Sequence, residues 1–397
     1  MRIVVIGAGP SGLYFALLAR TCLPSASIQV YEQRAPGSTY GFGIVLADRG
    51  LARFREAHEE SYEALMSASF VSRNRVIAHP DESVFVEGGG YGGAIARLRL
   101  LEVLEEFCKK AGVAIDYEAR VADADPYADA DLVVGADGVN SELRRHHQRE
   151  FGTRSYSLTN RVAWYGTTRH FPYPLLSFKR NEFGHFVAAA YAYTERMATV
   201  VAECDEATYF RAGLDRMSED QQHKFTESVF ASELDGHALI GNNSAYRRLS
   251  VVRNEEWYTG NCVLIGDALH SSHPTIGSGT RIAMEDSIAL AKALAEHRSD
   301  LSAALEGFRL AREPDKYKLL LASEKSFSWY EDFAEKVDDL GAVDFVFDFI
   351  MRTGRVSRER LYIEYPQFMG RYGHRWREGD GRIAQIHTAP ANGWRAV

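Results

Sequence analysis

The stretch RIVVIGAGPSGLYFALLA, residues 2 to 19, leaves the chain little choice of fold. Ile3 to Ile6 form a short apolar, β-branched run that predicts a buried parallel strand, and Leu13 to Ala19 predict a helix. Between them, Gly7 permits a tight turn, Gly9 lets a pyrophosphate approach the backbone, and Gly12 lets helix and strand pack closely. Pro10 and Ser11 open the helix, whose free N–H groups and partial positive charge suit phosphates. The next strand, SIQVYE, ends in Glu32, twenty residues beyond Gly12, where a carboxylate can take two hydrogen bonds from a ribose. Gln33 and Arg34 follow on the adenosine side, although an exposed loop arginine explains Arg34 nearly as well. A dinucleotide is therefore expected at the N-terminus, with NAD and FAD both compatible.

At 397 residues the chain exceeds the usual single-domain size, so two domains are expected. Its 46% hydrophobic and 25% charged residues are ordinary for a globular protein. A net charge of −8 argues against a nucleic-acid groove, which needs concentrated Lys and Arg. The four cysteines, Cys22, Cys108, Cys204 and Cys262, show neither metal-ligand spacing nor a disulfide framework, and read as buried thiols. No run approaches the roughly 20 apolar residues that span a bilayer, and the N-terminal run is cut by glycines, unlike a signal peptide. A soluble cytoplasmic protein with no stable membrane association is expected.

Two later stretches bear on which dinucleotide binds. DADLVVGADGVNSELR, residues 129 to 144, is a buried strand followed by Asp137 and Gly138, where the backbone can pass close to a ligand and the carboxylate can accept from a ribose. NCVLIGDALHSSHPTIGSGTRIAMEDSIALAKAL, residues 261 to 294, is a second buried strand, then Gly266 and Asp267, a loop with Pro274, Gly277 and Gly279, and a long amphipathic helix. Asp267 can hold a ribityl hydroxyl, and the glycines and helix start can face a ring carbonyl. His270 and His273 lie in the same loop and are active-site candidates. No third ligand accompanies them at a sensible spacing, so no metal is expected.

In this order, and with RLRLLEVL from Arg97, these segments resemble the single-component FAD-dependent aromatic hydroxylases, the family of para-hydroxybenzoate hydroxylase. The resemblance spans residues 1 to about 295. It implies an α/β fold: a Rossmann-type FAD-binding domain, an inserted mixed or antiparallel β-sheet domain for substrate, and a helical C-terminal region. It further implies FAD with its ADP half on the first motif, Asp137 and Gly138 near both FAD and a pyridine nucleotide, and Gly266 and Asp267 at the riboflavin half. Arg97 then lies near the phosphates or ribityl chain. Pro274, Gly277, Ser278, Gly279 and Thr280 wall the flavin ring, with Gly43 and Ile44 opposite. NADH or NADPH would visit the flavin transiently, without a domain of its own. Oxygen from O2 would reach an electron-rich aromatic substrate through a C4a-hydroperoxyflavin.

Arg281 stands where many members of the family carry asparagine. With IGSGTRIAMED, the segments YGFGIVL, RVAWYGTTRHF and AGLDRMSED resemble a subgroup that includes salicylyl-CoA 5-hydroxylase, anthraniloyl-CoA monooxygenase and the tryptophan-derivative hydroxylase of violacein synthesis. An aryl-CoA thioester and an indole or tryptophan-derived compound are both compatible with it. A reductase or dehydrogenase of the same fold, and a non-catalytic FAD-binding partner, are the alternative functions.

The expected FAD-binding domain is discontinuous, comprising residues 1–75, 93–155 and 256–345. Residues 76–92 and 156–255 form the substrate sheet, and 346–397 a helical region and tail. In the sheet, alternation puts His185, Val187 and Ala189 on one face and Phe186, Ala188 and Ala190 on the other. His185, Tyr191 and Tyr193 can orient a substrate, with Tyr165 behind them, or can be ordinary sheet residues. The aromatic run Phe327, Trp329, Tyr330 and Phe333 reads as core or subunit contact rather than a substrate box. Arg247, Arg248 and Arg253 suit either a CoA phosphate or solvent. The glycine cluster EGGGYGGAIAR lacks the ending of a phosphate loop and reads as backbone passing close to cofactor or substrate. A monomer or a homodimer is expected.

Overall fold

In the computed structural model, which describes residues 1–46, 51–89, 93–121, 127, 129–271 and 277–376, strand Arg2–Ile6 is buried between two parallel neighbours, Ser27–Tyr31 and Leu132–Gly135. Cys262–Leu264 and Ala114–Asp116 extend this sheet in parallel on either side, and Tyr258–Thr259 closes one edge antiparallel, making six strands. Ile3–Ile6 and Leu132–Gly135 are apolar and buried because helices cover the sheet. Helix Pro10–Cys22 packs between helices Arg97–Lys110 and Gly279–Glu296, and Leu13, Phe15, Leu104, Met284 and Leu290 fill the core.

A second, eight-stranded sheet is mixed. Leu239–Gly241, Arg154–Thr167, Ala198–Cys204, Gly184–Ala192 and Leu175–Asn181 run antiparallel in that order, Arg75–Ala78 joins parallel to Leu175–Asn181, and Ser83–Val86 ends the row. Arg247–Arg253 pairs with Arg154–Thr167 off this path. Phe186, Ala188, Ala190, Val200 and Ala202 point to one face and share a core with Leu214, Phe230 and Leu234. Val187 and Phe178 turn to the other face, toward Trp329, Phe333 and Phe345 of helices Leu301–Glu331, Phe333–Asp339 and Ala342–Met351. A small sheet pairs Gly43–Leu46, Gly93–Ala96 and Phe70–Val71 in that order.

This is the α/β architecture expected, with the inserted sheet mixed rather than wholly antiparallel. All four cysteines are free thiols, three of them buried. Among the described residues no helix is long and apolar enough to cross a membrane, and no cluster of His, Cys, Asp and Glu has metal-site geometry.

Candidate functional site

A cavity of about 1420 Å³ runs from the glycine turn of the first sheet to the open face of the second. At its first end Gly7 has φ +103° and donates to the Tyr31 carbonyl at 2.8 Å. A Cβ there would stand 2.6 Å from the Ala136 carbonyl oxygen, so only glycine closes the turn. Gly9, Pro10 and Ser11 line the cavity, while Gly12 sits beneath, where a Cβ would collide with the Gly7 carbonyl. Glu32 is held by two backbone amides, Ala8 N to Oε2 at 2.9 Å and Arg34 N to Oε1 at 3.0 Å. Each oxygen keeps a lone pair for a ligand hydroxyl. Gln33 and Arg34 also line this end, the guanidinium of Arg34 stacking over Tyr40 at 4.4 Å.

Asp137 and Gly138 form the adjoining wall. Asp137 Oδ2 accepts from Glu142 N at 2.7 Å, whereas its Oδ1 is buried with no hydrogen bond among the described residues. Burial pushes the carboxyl above its ordinary range, while Ser141 and the amides of the next turn pull it back. Further along, Asp267 lines the cavity near Arg97, whose Nε donates to Thr39 at 3.0 Å and whose backbone N donates to Phe42 O at 2.7 Å. The enclosing protein raises the Asp267 carboxyl, and Arg97 and Lys316 oppose that rise. Gly277, Ser278, Gly279 and Thr280 complete this end; Gly266 lies beneath it. His273 and Pro274 fall outside the described residues.

Under Asp267 lies an ionic network that the sequence reading missed. Asp286, fully buried, accepts from Gly266 N at 3.0 Å, Arg312 Nε at 2.9 Å and Lys316 Nζ at 2.5 Å. Arg312 also pairs with Glu285 at 3.1 Å, and Arg281 pairs with the same Glu285 one helical turn away. The available signal was a pair of acids in the buried face of one helix and two cations on the next.

The second sheet supplies the opposite wall. Register aligns Val162, Glu203 and Val187 in one row, Trp164, Val201 and Ala189 in the next, and Gly166, Thr199 and Tyr191 in the third. The third row grips Gly43: Gly43 N donates to Thr199 Oγ1 at 2.7 Å, and Tyr191 Oη donates to Gly43 O at 2.9 Å. A Cβ on Gly43 would overlap the Tyr193 ring and stand 2.8 Å from Thr199 Oγ1. Tyr191 and Ile44 line the cavity; Tyr193 packs behind Gly43. Tyr165 is buried on the other face of the sheet. Phe327 and Tyr330 line the cavity while Trp329 and Phe333 lie in the core, so the aromatic run divides between the two roles.

His270 is buried outside the cavity lining, against Trp257, and its Nε2 donates to Asn254 O at 3.2 Å. Burial, with Lys316 and Arg253 nearby, holds it neutral well below the usual histidine range. His185 starts its strand away from the lining and pairs with Asp338 at 3.0 Å. Arg247 and Arg248 line the rim, the first bonded to Asn243 at 2.6 Å and the second paired with Glu206. Arg253 turns inward to Ser271 O at 2.9 Å. Of the glycine cluster, Gly89 lines the cavity and donates to Glu364 O at 2.8 Å. Thr199, Glu203 and Asn160 also escaped the sequence reading, because strand alternation shows which residues share a face but not which face meets a ligand.

The residues fit FAD. A glycine cradle with a half-satisfied carboxylate suits the ADP half, and the orphaned Asp137 oxygen and Asp267 suit hydroxyls farther along. A family model for an FAD binding domain matches residues 102–305. Salicyloyl-CoA 5-hydroxylase of Streptomyces sp is 33% identical over 95% of this chain and 74% of that enzyme. The 3-hydroxy-4-methyl-anthranilyl-[aryl-carrier protein] 5-monooxygenase of Streptosporangium sibiricum is 32% identical, over 92% of this chain and 97% of that one. Protodeoxyviolaceinate monooxygenase of Chromobacterium violaceum is also 32% identical, over 89% and 94%. A crystal structure of 2-methyl-3-hydroxypyridine-5-carboxylic acid oxygenase superimposes with a TM-score of 0.68 at 18% identity, covering 91% of this chain and 95% of the other.

Proposed function

The chain belongs to the FAD-dependent aromatic monooxygenases of the para-hydroxybenzoate hydroxylase type, and from that premise we propose that it hydroxylates an electron-rich ring carried as an aryl thioester. The observation that carries the reading is the continuity of the cavity. One space joins the dinucleotide cradle of the first sheet to an apolar wall of Trp164, Val201, Ala189 and Leu176 on the second. Ligand sites commonly occupy such domain boundaries. The rim offers Arg247 and Arg248 to the phosphates of a thioester handle. Two of the relatives named above act, by their names, on CoA-linked or carrier-linked aryl groups.

Bound FAD, reduced by NADH or NADPH, supplies the activated oxygen. The protein's work is binding, positioning and the exclusion of water. In this reading Glu32 holds the ribose, Gly7 and Gly9 admit the pyrophosphate, and Asp137, Asp267 and Arg97 hold the middle of the cofactor. Gly277 to Thr280 lie beside the ring. The Tyr191 and Thr199 grip on Gly43 fixes the boundary between cofactor and substrate, and the apolar rows keep water from the reacting centre. His270 and His185 support the frame from outside the lining. The division into residues 1–75, 93–155 and 256–345 for cofactor and 76–92 and 156–255 for substrate belongs to the same proposal.

The test is to purify the flavoprotein and follow NADH and NADPH oxidation in air with salicylyl-CoA, anthraniloyl-CoA, the free acids, tryptophan and indole. Stimulation by a thioester, with a product one oxygen heavier, is expected. Stimulation by indole or tryptophan alone overturns the thioester assignment, and reduction of the flavin with no oxygenated product from any ring counts against hydroxylation altogether.

A further inference from the structure

Glu203 stands in the middle strand of the substrate wall, 3% exposed, flanked by Val162 and Val187. Its Oε1 accepts from the Asn160 amide at 2.8 Å, and that amide is fixed in turn by the Tyr330 carbonyl at 2.7 Å. Among the described residues no donor reaches the second oxygen and no cation pairs with the carboxylate, yet the side chain lines the cavity. An unpaired charge there costs stability that a glutamine or leucine would not. Burial raises the carboxyl to about 8, with Asn160 lowering it and Glu331 adding to the rise. A buried acid brought near neutrality and aimed into a cavity is what acid–base chemistry requires.

We infer that Glu203 touches the substrate, accepting a hydrogen bond from a hydroxyl or N–H group on the aromatic ring and so restricting substrates to rings that bear such a donor. With a ring hydroxyl the proton passes to Oε2: the ring O–H bond breaks, a carboxyl O–H bond forms, and the ring oxygen keeps the electron pair. The ring becomes more electron-rich at the moment it must react with an electrophilic oxygen. This inference rests on the aromatic hydroxylase reading above. The titratable and charged groups around Glu203 are Glu331 on helix Leu301–Glu331 and His185 on the neighbouring strand, the latter paired with Asp338, while Arg352, Arg75 and Glu364 line the same cavity.

The experiment uses the FAD-loaded enzyme, Glu203→Gln and Glu203→Leu, with flavin content confirming that each variant is folded. Two probe pairs differ only in the donor: salicylyl-CoA against benzoyl-CoA, and indole against benzofuran. Binding is read from the flavin absorption change between pH 6 and 9. Wild type is expected to favour the donor-bearing member of at least one pair by roughly tenfold to a hundredfold, the value of a hydrogen bond to a charged group. The preference should grow as pH rises through about 8. Glu203→Leu should bring the ratio near one, Glu203→Gln, whose carbonyl still accepts, should lower it, and both should flatten its pH dependence. If wild type discriminates and turns over while both variants discriminate equally well, Glu203 does not touch the donor and the inference is overturned alone. If neither pair binds wild type and no ring speeds NADH or NADPH oxidation, the hydroxylase reading fails and takes the inference with it.

Discussion

Asp286 and Glu203 are both buried carboxyl groups, one beneath the cavity and one on its wall, and the protein treats them in opposite ways. Asp286, beneath the cofactor end, has a lysine, an arginine and a backbone amide within 3.0 Å. Glu203, on the substrate wall, has one neutral amide. A charge matched inside the protein fixes a turn; a carboxyl left without a cation beside a cavity is open to a ligand. The frame beneath the cofactor end is therefore matched by cations of its own, while the carboxyl on the substrate wall has none among the described residues.

Asp286→Ala should break the comparison most severely. It strands Lys316 in the core and leaves Arg312 with Glu285 alone, a loss of about 3–5 kcal/mol by analogy with other broken buried pairs. Chemical denaturation should show that loss together with poorer flavin retention. Glu203→Gln should have the reverse sign. The folded protein holds this carboxyl at about 8, above its unfolded value, so its contribution is most favourable below the unfolded value and is lost as pH rises through about 8. The ligand-free variant should thus melt above wild type at pH 9 by roughly 2–4 kcal/mol and match it near pH 4.5. Equal melting at both pH values would mean that Glu203 is matched after all.

Two smaller changes probe the seam between the regions. Gly43→Ala forces a methyl group against Tyr193 and Thr199, at a cost of about 1–3 kcal/mol, and should weaken substrate-stimulated NADH or NADPH oxidation more than flavin binding. Tyr191→Phe removes one hydrogen bond to Gly43 O, about 1 kcal/mol, and should raise KM for the aromatic substrate with little change in stability.

The two ends also differed in how readable they were. At the cofactor end the chemistry is local: Gly7, Gly9, Gly12 and Glu32 act through backbone turns a few residues long, so motif and spacing carry the geometry. At the substrate end it is nonlocal. Gly43 meets Thr199 and Tyr191 across about 150 residues, and Glu203 meets Asn160 through strand pairing, neither of which leaves a short signature. His185 shows the limit of alternation, since it shares the parity of Val187 and Ala189 but lies beyond the cavity, drawn to Asp338. His270 shows the limit of proximity in sequence. It follows the Gly266 and Asp267 turn closely, yet the turn points it into the core against Trp257.

The most direct test of the account is the fate of labelled oxygen. The flavoprotein, NADH or NADPH and a thioester such as salicylyl-CoA are incubated under heavy O2, and the product is weighed by mass spectrometry. The account requires one heavy oxygen atom on the ring, with little hydrogen peroxide. Label found only in hydrogen peroxide across every aromatic compound offered, with the reduced cofactor fully consumed, would contradict the claim that the joined cavity serves oxygen transfer to a ring.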